Sequence, residues 1–95
     1  MTVIQLITFQ TRAGTGDAFV QGFRPIIATV RAEPGCERYE LLRSVEDADT
    51  FVMVERWADQ ASIDAALRLF PGRDHPSVAF LKHLAGAPVR ERYEV

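Results

Sequence analysis

Two stretches of this chain are apolar on both faces of a strand, yet the helices that 95 residues can spare cover only one side of a sheet. Side chains alternate across a strand. Over residues 3–11, Ile4 and Leu6 therefore point one way while Val3, Ile7 and Phe9 point the other. Over residues 50–57, Phe51 and Met53 oppose Val52 and Val54. Strands apolar on both sides belong to a sheet buried on both sides. The expected second cover is a second copy of the chain, because two-fold pairs are the commonest assemblies. The alternative is a monomer with an exposed apolar patch. With 47% hydrophobic residues, a domain that buries only about 60–65% of its unfolded surface has apolar material to spare.

The rest of the chain punctuates these strands. Arg12-Ala13-Gly14 ends the first, and Thr15 or Asp17 can cap a helix whose apolar positions are Phe19, Phe23, Ile26, Ile27 and Val30, one stripe at helical spacing. Pro25 inside that helix is expected to kink or split it, and Glu33-Pro34-Gly35 stops it. Residues 37–45 read as a second strand, joined to 50–57 through the acidic turn Glu46-Asp47-Ala48-Asp49 as a hairpin. Asp59 caps a second helix carrying Ile63, Ala66, Leu67 and Phe70, broken by Pro71-Gly72. A short helix resumes near Pro76 with Val78, Leu81 and Leu84, and residues 89–94 form a last strand. The order β-α-β-β-α-β in one domain over 1–95, with right-handed crossovers, places both helical segments on one face of a ferredoxin-like antiparallel sheet of the α+β class.

Composition excludes several function classes. A formal net charge of -2 gives no electrostatic footprint for nucleic acid. No apolar run reaches the ~18–20 residues that cross a bilayer, and the amino-terminal segment is a strand pattern rather than a signal peptide. The single cysteine, Cys36, fits a reducing cytoplasm and, next to Glu37, reads as a small buried filler. No glycine-rich phosphate loop or nucleophile elbow is present, so neither flavin nor nicotinamide has sequence support and no cofactor is expected. His75 and His83 stand eight residues apart, a spacing that fits no usual metal site.

The segment Arg31-Ala32-Glu33-Pro34-Gly35-Cys36-Glu37-Arg38-Tyr39-Glu40-Leu41-Leu42 resembles the helix-to-strand passage of the antibiotic biosynthesis monooxygenase family. Asp49 to Asp59, with its Glu55-Arg56-Trp57 ending, is similar to the same family. That resemblance implies a dimeric α+β barrel with a pocket between sheet and helices in each subunit. Its members include enzymes that oxidise quinols or polycyclic phenols with O₂ and no cofactor, others that degrade haem, and a branch of isomerases. Their catalytic residues are largely absent here. The chain has no Asn, which removes the Asn-Trp-His set of the haem-degrading members. The phenol oxidisers place an Asn four residues before the Trp and a Tyr six after; Met53 and Ile63 stand there. The quinol-oxidase-like members place a His nine residues after it; Ala66 stands there.

On this resemblance the candidate catalytic residues are Trp57, whose indole can stack on a flat ring, and His75, a base poised near neutral pH. Each has a plainer interpretation, as a packing residue and an exposed loop histidine. Candidate substrate contacts are Tyr39, Arg43, Met53, Phe23 and His83. Arg43 can hold an oxyanion or pair with Glu46-Asp47, and Glu55 is read as structural with Arg43 as its partner across the hairpin. The expected activity is cofactor-independent oxidation of a small quinol or polyphenol by O₂. The alternatives are isomerisation of a small oxygenated metabolite and a non-catalytic dimer that binds a small aromatic molecule.

Overall fold

Alternation along the strands decides which side of the sheet the helices occupy. Val3, Gln5 and Phe9 are buried while Ile4, Leu6 and Thr8 are only partly so, and Phe51, Met53, Glu55 and Trp57 are buried against partly covered Val52 and Val54. The computed structural model describes residues 1–72 and 74–95; Arg73 lies outside the described residues. Its elements are β1 (Val3–Gln10), α1 (Gly16–Arg31), β2 (Cys36–Arg43), β3 (Thr50–Trp57), α2 (Gln60–Ala66) and β4 (Val89–Glu94), with 3-10 turns at Leu67–Leu69 and Pro76–His83. The sheet is antiparallel in the order β2-β3-β1-β4, the split β-α-β arrangement that the element order predicts. Its other face carries Ile4, Leu6, Val52, Val54, Leu42, Val89 and Tyr93; the last three are 46%, 60% and 51% exposed.

The core lies between the sheet and α1. Phe9, Phe19, Phe23, Phe51 and Phe80 interlock with ring centroids 4.5–5.8 Å apart. The 3-10 segment Pro76–His83 reaches this cluster through Phe80 because Gly22 lets it close on α1: a Cβ at Gly22 would stand 2.5 Å from the Phe80 Cβ. Val78 and Phe80 are its buried residues, rather than the Val78-Leu81-Leu84 stripe expected for an α-helix. Three residues per turn bring different side chains inward.

Three local expectations are corrected. Helix α1 runs unbroken for 16 residues through Pro25. The core-facing stripe of Phe19, Phe23, Ile26, Ile27 and Val30 holds it across the one hydrogen bond that Pro25 cannot donate. Neither Thr15 nor Asp17 caps it. Thr15 Oγ1 donates instead to the Arg12 carbonyl, and Asp49 of the β2–β3 loop accepts from the Gly16 N–H at 2.9 Å and the Gly14 N–H at 2.9 Å. These bonds hold the Asp49 carboxyl below its ordinary range. Asp59 does cap α2, accepting from the Ser62 N–H at 2.8 Å, but that helix ends at Ala66 and leaves Leu67 48% exposed.

Candidate functional site

Polar residues at core-facing strand positions draw the site. Arg92 lies opposite Gln5, Gln5 opposite Glu55, and Glu55 opposite Tyr39, so one cross-strand row runs through all four strands on the helix-covered face. Gln5 and Glu55 are 4% and 3% exposed. Buried polar groups of this kind need partners, and the row supplies them. Arg92 Nε donates to Gln5 Oε1, Gln5 Nε2 donates to Glu55 Oε2 at 3.0 Å, and Trp57 Nε1 donates to Glu55 Oε1 at 2.9 Å.

The electrostatics of Glu55 follow from this setting. Burial pushes its carboxyl above the ordinary value, and the Gln5 and Trp57 hydrogen bonds, with Arg90 and Arg92 nearby, offset only part of that rise. Each carboxylate oxygen accepts one hydrogen bond from the described residues, where such an oxygen can accept two. Burial, and then the Glu55 charge, also raise the Tyr39 phenol, which stays a neutral donor. The Tyr39 and Trp57 rings meet edge to face at 6.5 Å.

Above this row lies a cavity of about 250 Å³ between the sheet, α1, α2 and the 3-10 segments. Tyr39, Trp57, Phe23, Phe80, Phe70 and Ile63 supply much of its apolar wall, and Gln5, Glu55 and Arg90 are its other polar contributors besides Tyr39. Its volume is just below the ~300–1,000 Å³ of drug-sized sites. It suits a single ring or a compact bicycle, with aromatic faces to stack on and one hydrogen-bonded carboxyl to take a proton.

Of the residues singled out in the sequence, Trp57, Tyr39 and Phe23 line this cavity. Met53 is fully buried but is not one of its lining residues. Arg43 belongs elsewhere: it pairs with Asp17 at 2.8 Å, donates to the Ala48 carbonyl at 2.9 Å and lies over the Phe51 ring at 4.9 Å. It does not line this cavity, and its contacts are with neither Glu46-Asp47 nor Glu55. His75 is exposed, begins the 3-10 segment and accepts from the Ser77 N–H at 3.2 Å through Nδ1. His83 is half-buried, its carbonyl accepting from the Arg12 N–H at 2.7 Å. Neither histidine lines the cavity. Cys36 is half-buried, and burial and then the Glu55 charge raise its thiol away from reactivity. Among the described residues, no three His, Cys, Asp or Glu side chains gather as a metal site requires. No helix among them is long and apolar enough to cross a membrane.

Glu55, read from the sequence as structural with Arg43 as partner, is the carboxylate that lines the cavity. Its signal was present: a carboxylate between Met53 and Trp57, on the apolar face of its strand, with Gln5 in the same situation between Val3 and Ile7.

Comparison with known proteins agrees with this fold. Residues 2–69 match the model of the family described as antibiotic biosynthesis monooxygenase. A Bacillus subtilis protein, YcnE, named as a monooxygenase, is 34% identical over 47 residues; the chain spans about half the length of that relative, and the match covers 50% of each. Among solved structures, a protein from Nitrosomonas europaea named for antibiotic biosynthesis monooxygenase superposes with a TM-score of 0.85 at 17% identity, over 98% of this chain and 97% of that one. A variant of SnoaB from Streptomyces nogalater, a cofactor-independent oxygenase, gives 0.80 at 21% identity, over 99% and 92%. At such identities the superpositions establish the fold.

Proposed function

The chain belongs to the antibiotic biosynthesis monooxygenase family, and from that premise we propose that it oxidises a small quinol or phenol with O₂ without a cofactor, using Glu55 as proton acceptor. One observation carries this reading: the aromatic-walled cavity presents a buried carboxylate whose proton affinity is raised by burial while two N–H donors hold it in place. Proton transfer needs an acceptor within hydrogen-bond reach and with affinity moved toward the working pH. Glu55 lines the cavity with its proton affinity raised, which supports it as the acceptor in place of His75, which does not line it.

Trp57 and Tyr39 orient the ring, the phenol donating toward an oxygen of the bound substrate. Glu55 takes the substrate's O–H proton. The resulting phenolate gives one electron to O₂, and the aryloxyl radical and superoxide combine to form a C–O bond. Glu55 returns its proton to the peroxide, and loss of water from the resulting hydroperoxide leaves a quinone. For hydroquinone the sum is C₆H₆O₂ + O₂ → C₆H₄O₃ + H₂O, with the substrate supplying every electron. The protein binds, deprotonates and excludes water. A homodimer formed through the uncovered sheet face completes the proposal, covering Ile4, Leu6, Val52 and Val54, which α1 and α2 leave to solvent.

The test is O₂ uptake over a panel of hydroquinones and naphthols, repeated with Glu55→Gln. Loss of the base should lower turnover by about 10²–10⁴-fold while the Trp57 fluorescence response to ligand persists. Undiminished turnover in Glu55→Gln would remove Glu55 from the chemistry, and no uptake by the parent with any member of the panel would refute the oxygenase.

A further inference from the structure

We propose that Arg90 makes this cavity selective for a phenol that carries a carboxylate, the guanidinium holding the carboxylate while the phenolic O–H meets Glu55. The inference rests on the cavity being the substrate site proposed above, and it names the substrate class.

Arg90 and Glu55 are the two charged residues in the cavity wall. They do not hydrogen-bond to each other: the Glu55 oxygens accept from Gln5 and Trp57. Most other arginines are engaged, and Arg24 on α1 does not line the cavity. Arg38, Arg43, Arg56 and Arg68 form ion pairs, Arg92 holds Gln5, and Arg31 donates to the Tyr39 carbonyl at 2.9 Å. Arg90 has no hydrogen bond or ion pair among the described residues. A planar fork of five donors beside an apolar cavity is matched by a planar bidentate acceptor, which a carboxylate is.

Register sets the size of the ligand. Arg90 lies opposite Ile7, one side-chain row along from the Arg92-Gln5-Glu55-Tyr39 row and two strands from Glu55. One row is about 7 Å and two strands about 9.5 Å, so the backbones stand roughly 11–12 Å apart, and both side chains shorten that span. Together with the cavity volume of about 250 Å³, that spacing limits the ligand to one substituted aromatic ring. The charges of the wall point the same way. Arg92, one row along on β4, is committed to Gln5, which leaves Arg90 as a cation of the cavity wall without a partner among the described residues. An anionic substituent supplies one.

Trp57 is the sole tryptophan, so its emission reports occupancy of the cavity without any turnover. The probes are 2,5-dihydroxyphenylacetate and its amide, which share the ring and differ in charge. At low salt the acid should bind roughly 5–20-fold more tightly than the amide, the range for a charge-assisted pair at a partly solvated mouth. In Arg90→Gln the two should bind alike, and Arg90→Lys should keep part of the preference. Arg90 is an exposed residue on an edge strand, so unchanged melting of both variants is expected and is measured alongside. Equal binding of acid and amide by the parent, a preference that survives in Arg90→Gln, or no quenching by either probe would overturn the inference. O₂ uptake separates it from the reading beneath it. Selective binding of the acid with no uptake refutes the oxygenase and leaves the selectivity standing. Uptake with equal kcat/KM for acid and amide refutes the selectivity and leaves the oxygenase.

Discussion

Replacing Trp57 by Phe isolates what the indole N–H does for Glu55. Trp57 is 1% exposed, and its Nε1 donates at 2.9 Å to a carboxylate that has one other protein donor, Gln5. Losing a hydrogen bond to a buried charge costs about 1.5–3 kcal/mol. The smaller ring leaves a void that adds roughly 1 kcal/mol at about 24 cal/mol per Å³. Trp57→Phe should therefore lose about 2–4 kcal/mol in urea unfolding followed by far-ultraviolet circular dichroism. In a Glu55→Gln background the same change removes only a neutral hydrogen bond, worth about 0.5–1.5 kcal/mol. The double-mutant cycle should then report a coupling of about 1–1.5 kcal/mol. The sign with pH follows from the raised folded-state affinity of Glu55 for its proton. Its stabilising contribution is complete below the ordinary carboxylate range and lost as pH rises through the folded value. Removing a donor that favours the charged form widens that shift, so the Trp57→Phe penalty should grow with rising pH and shrink in acid. A penalty under 1 kcal/mol that is flat with pH, with no coupling to Glu55, would refute the claim that the indole serves the carboxylate.

The same linkage predicts that Glu55→Gln melts higher than the parent at neutral pH, with the difference closing as pH falls below the carboxylate range; a lower melting point at pH 7 would contradict it. Gly22→Ala should cost about 1–3 kcal/mol, the usual penalty for overpacking, because its Cβ would stand 2.5 Å from the Phe80 Cβ; calorimetric melting checks this, and an unshifted transition would show that the contact relaxes freely. Light scattering at micromolar concentration should return twice the chain mass for the parent, and Val54→Lys, on the uncovered sheet face, should return the monomer. A monomeric parent would end the case for pairing through that face.

What could be read from the sequence was what short-range chemistry decides. The strands at 50–57 and 89–94 and the Asp59 cap are visible because alternation and capping act within a few residues. The partly covered apolar set of Ile4, Leu6, Val52 and Val54 was visible too, since a two-sided strand announces its second face. What escaped depends on residues far apart. Asp49 caps α1 from 33 positions away, so no local pattern identifies it. Pro25 leaves α1 intact because packing of the apolar stripe outweighs one missing bond. Glu55 and Gln5 are 50 residues apart, and only the β1–β3 register shows that each answers the other's burial. His75 stands out in the sequence as a histidine in a loop expected to border the pocket; its ring nitrogen accepts from the Ser77 N–H at the start of a 3-10 turn, outside the cavity lining.

The cost of Glu55 is itself an argument about function. A carboxylate at a core-facing strand position gives up stability that a Leu or Met of similar size would keep, because desolvation exceeds what two hydrogen bonds return. Neighbouring positions on the same face, Phe51, Met53 and Trp57, are filled with large, fully buried side chains. The fold thus accommodates apolar residues along this strand and departs from them where β3 meets the cavity. A row that only joined the strands would favour a direct Arg92–Glu55 ion pair. Here Gln5 stands between them, leaving the carboxyl hydrogen-bonded but without a contacting cation, and so with its proton affinity raised. That arrangement weakens a structural pair and suits a base.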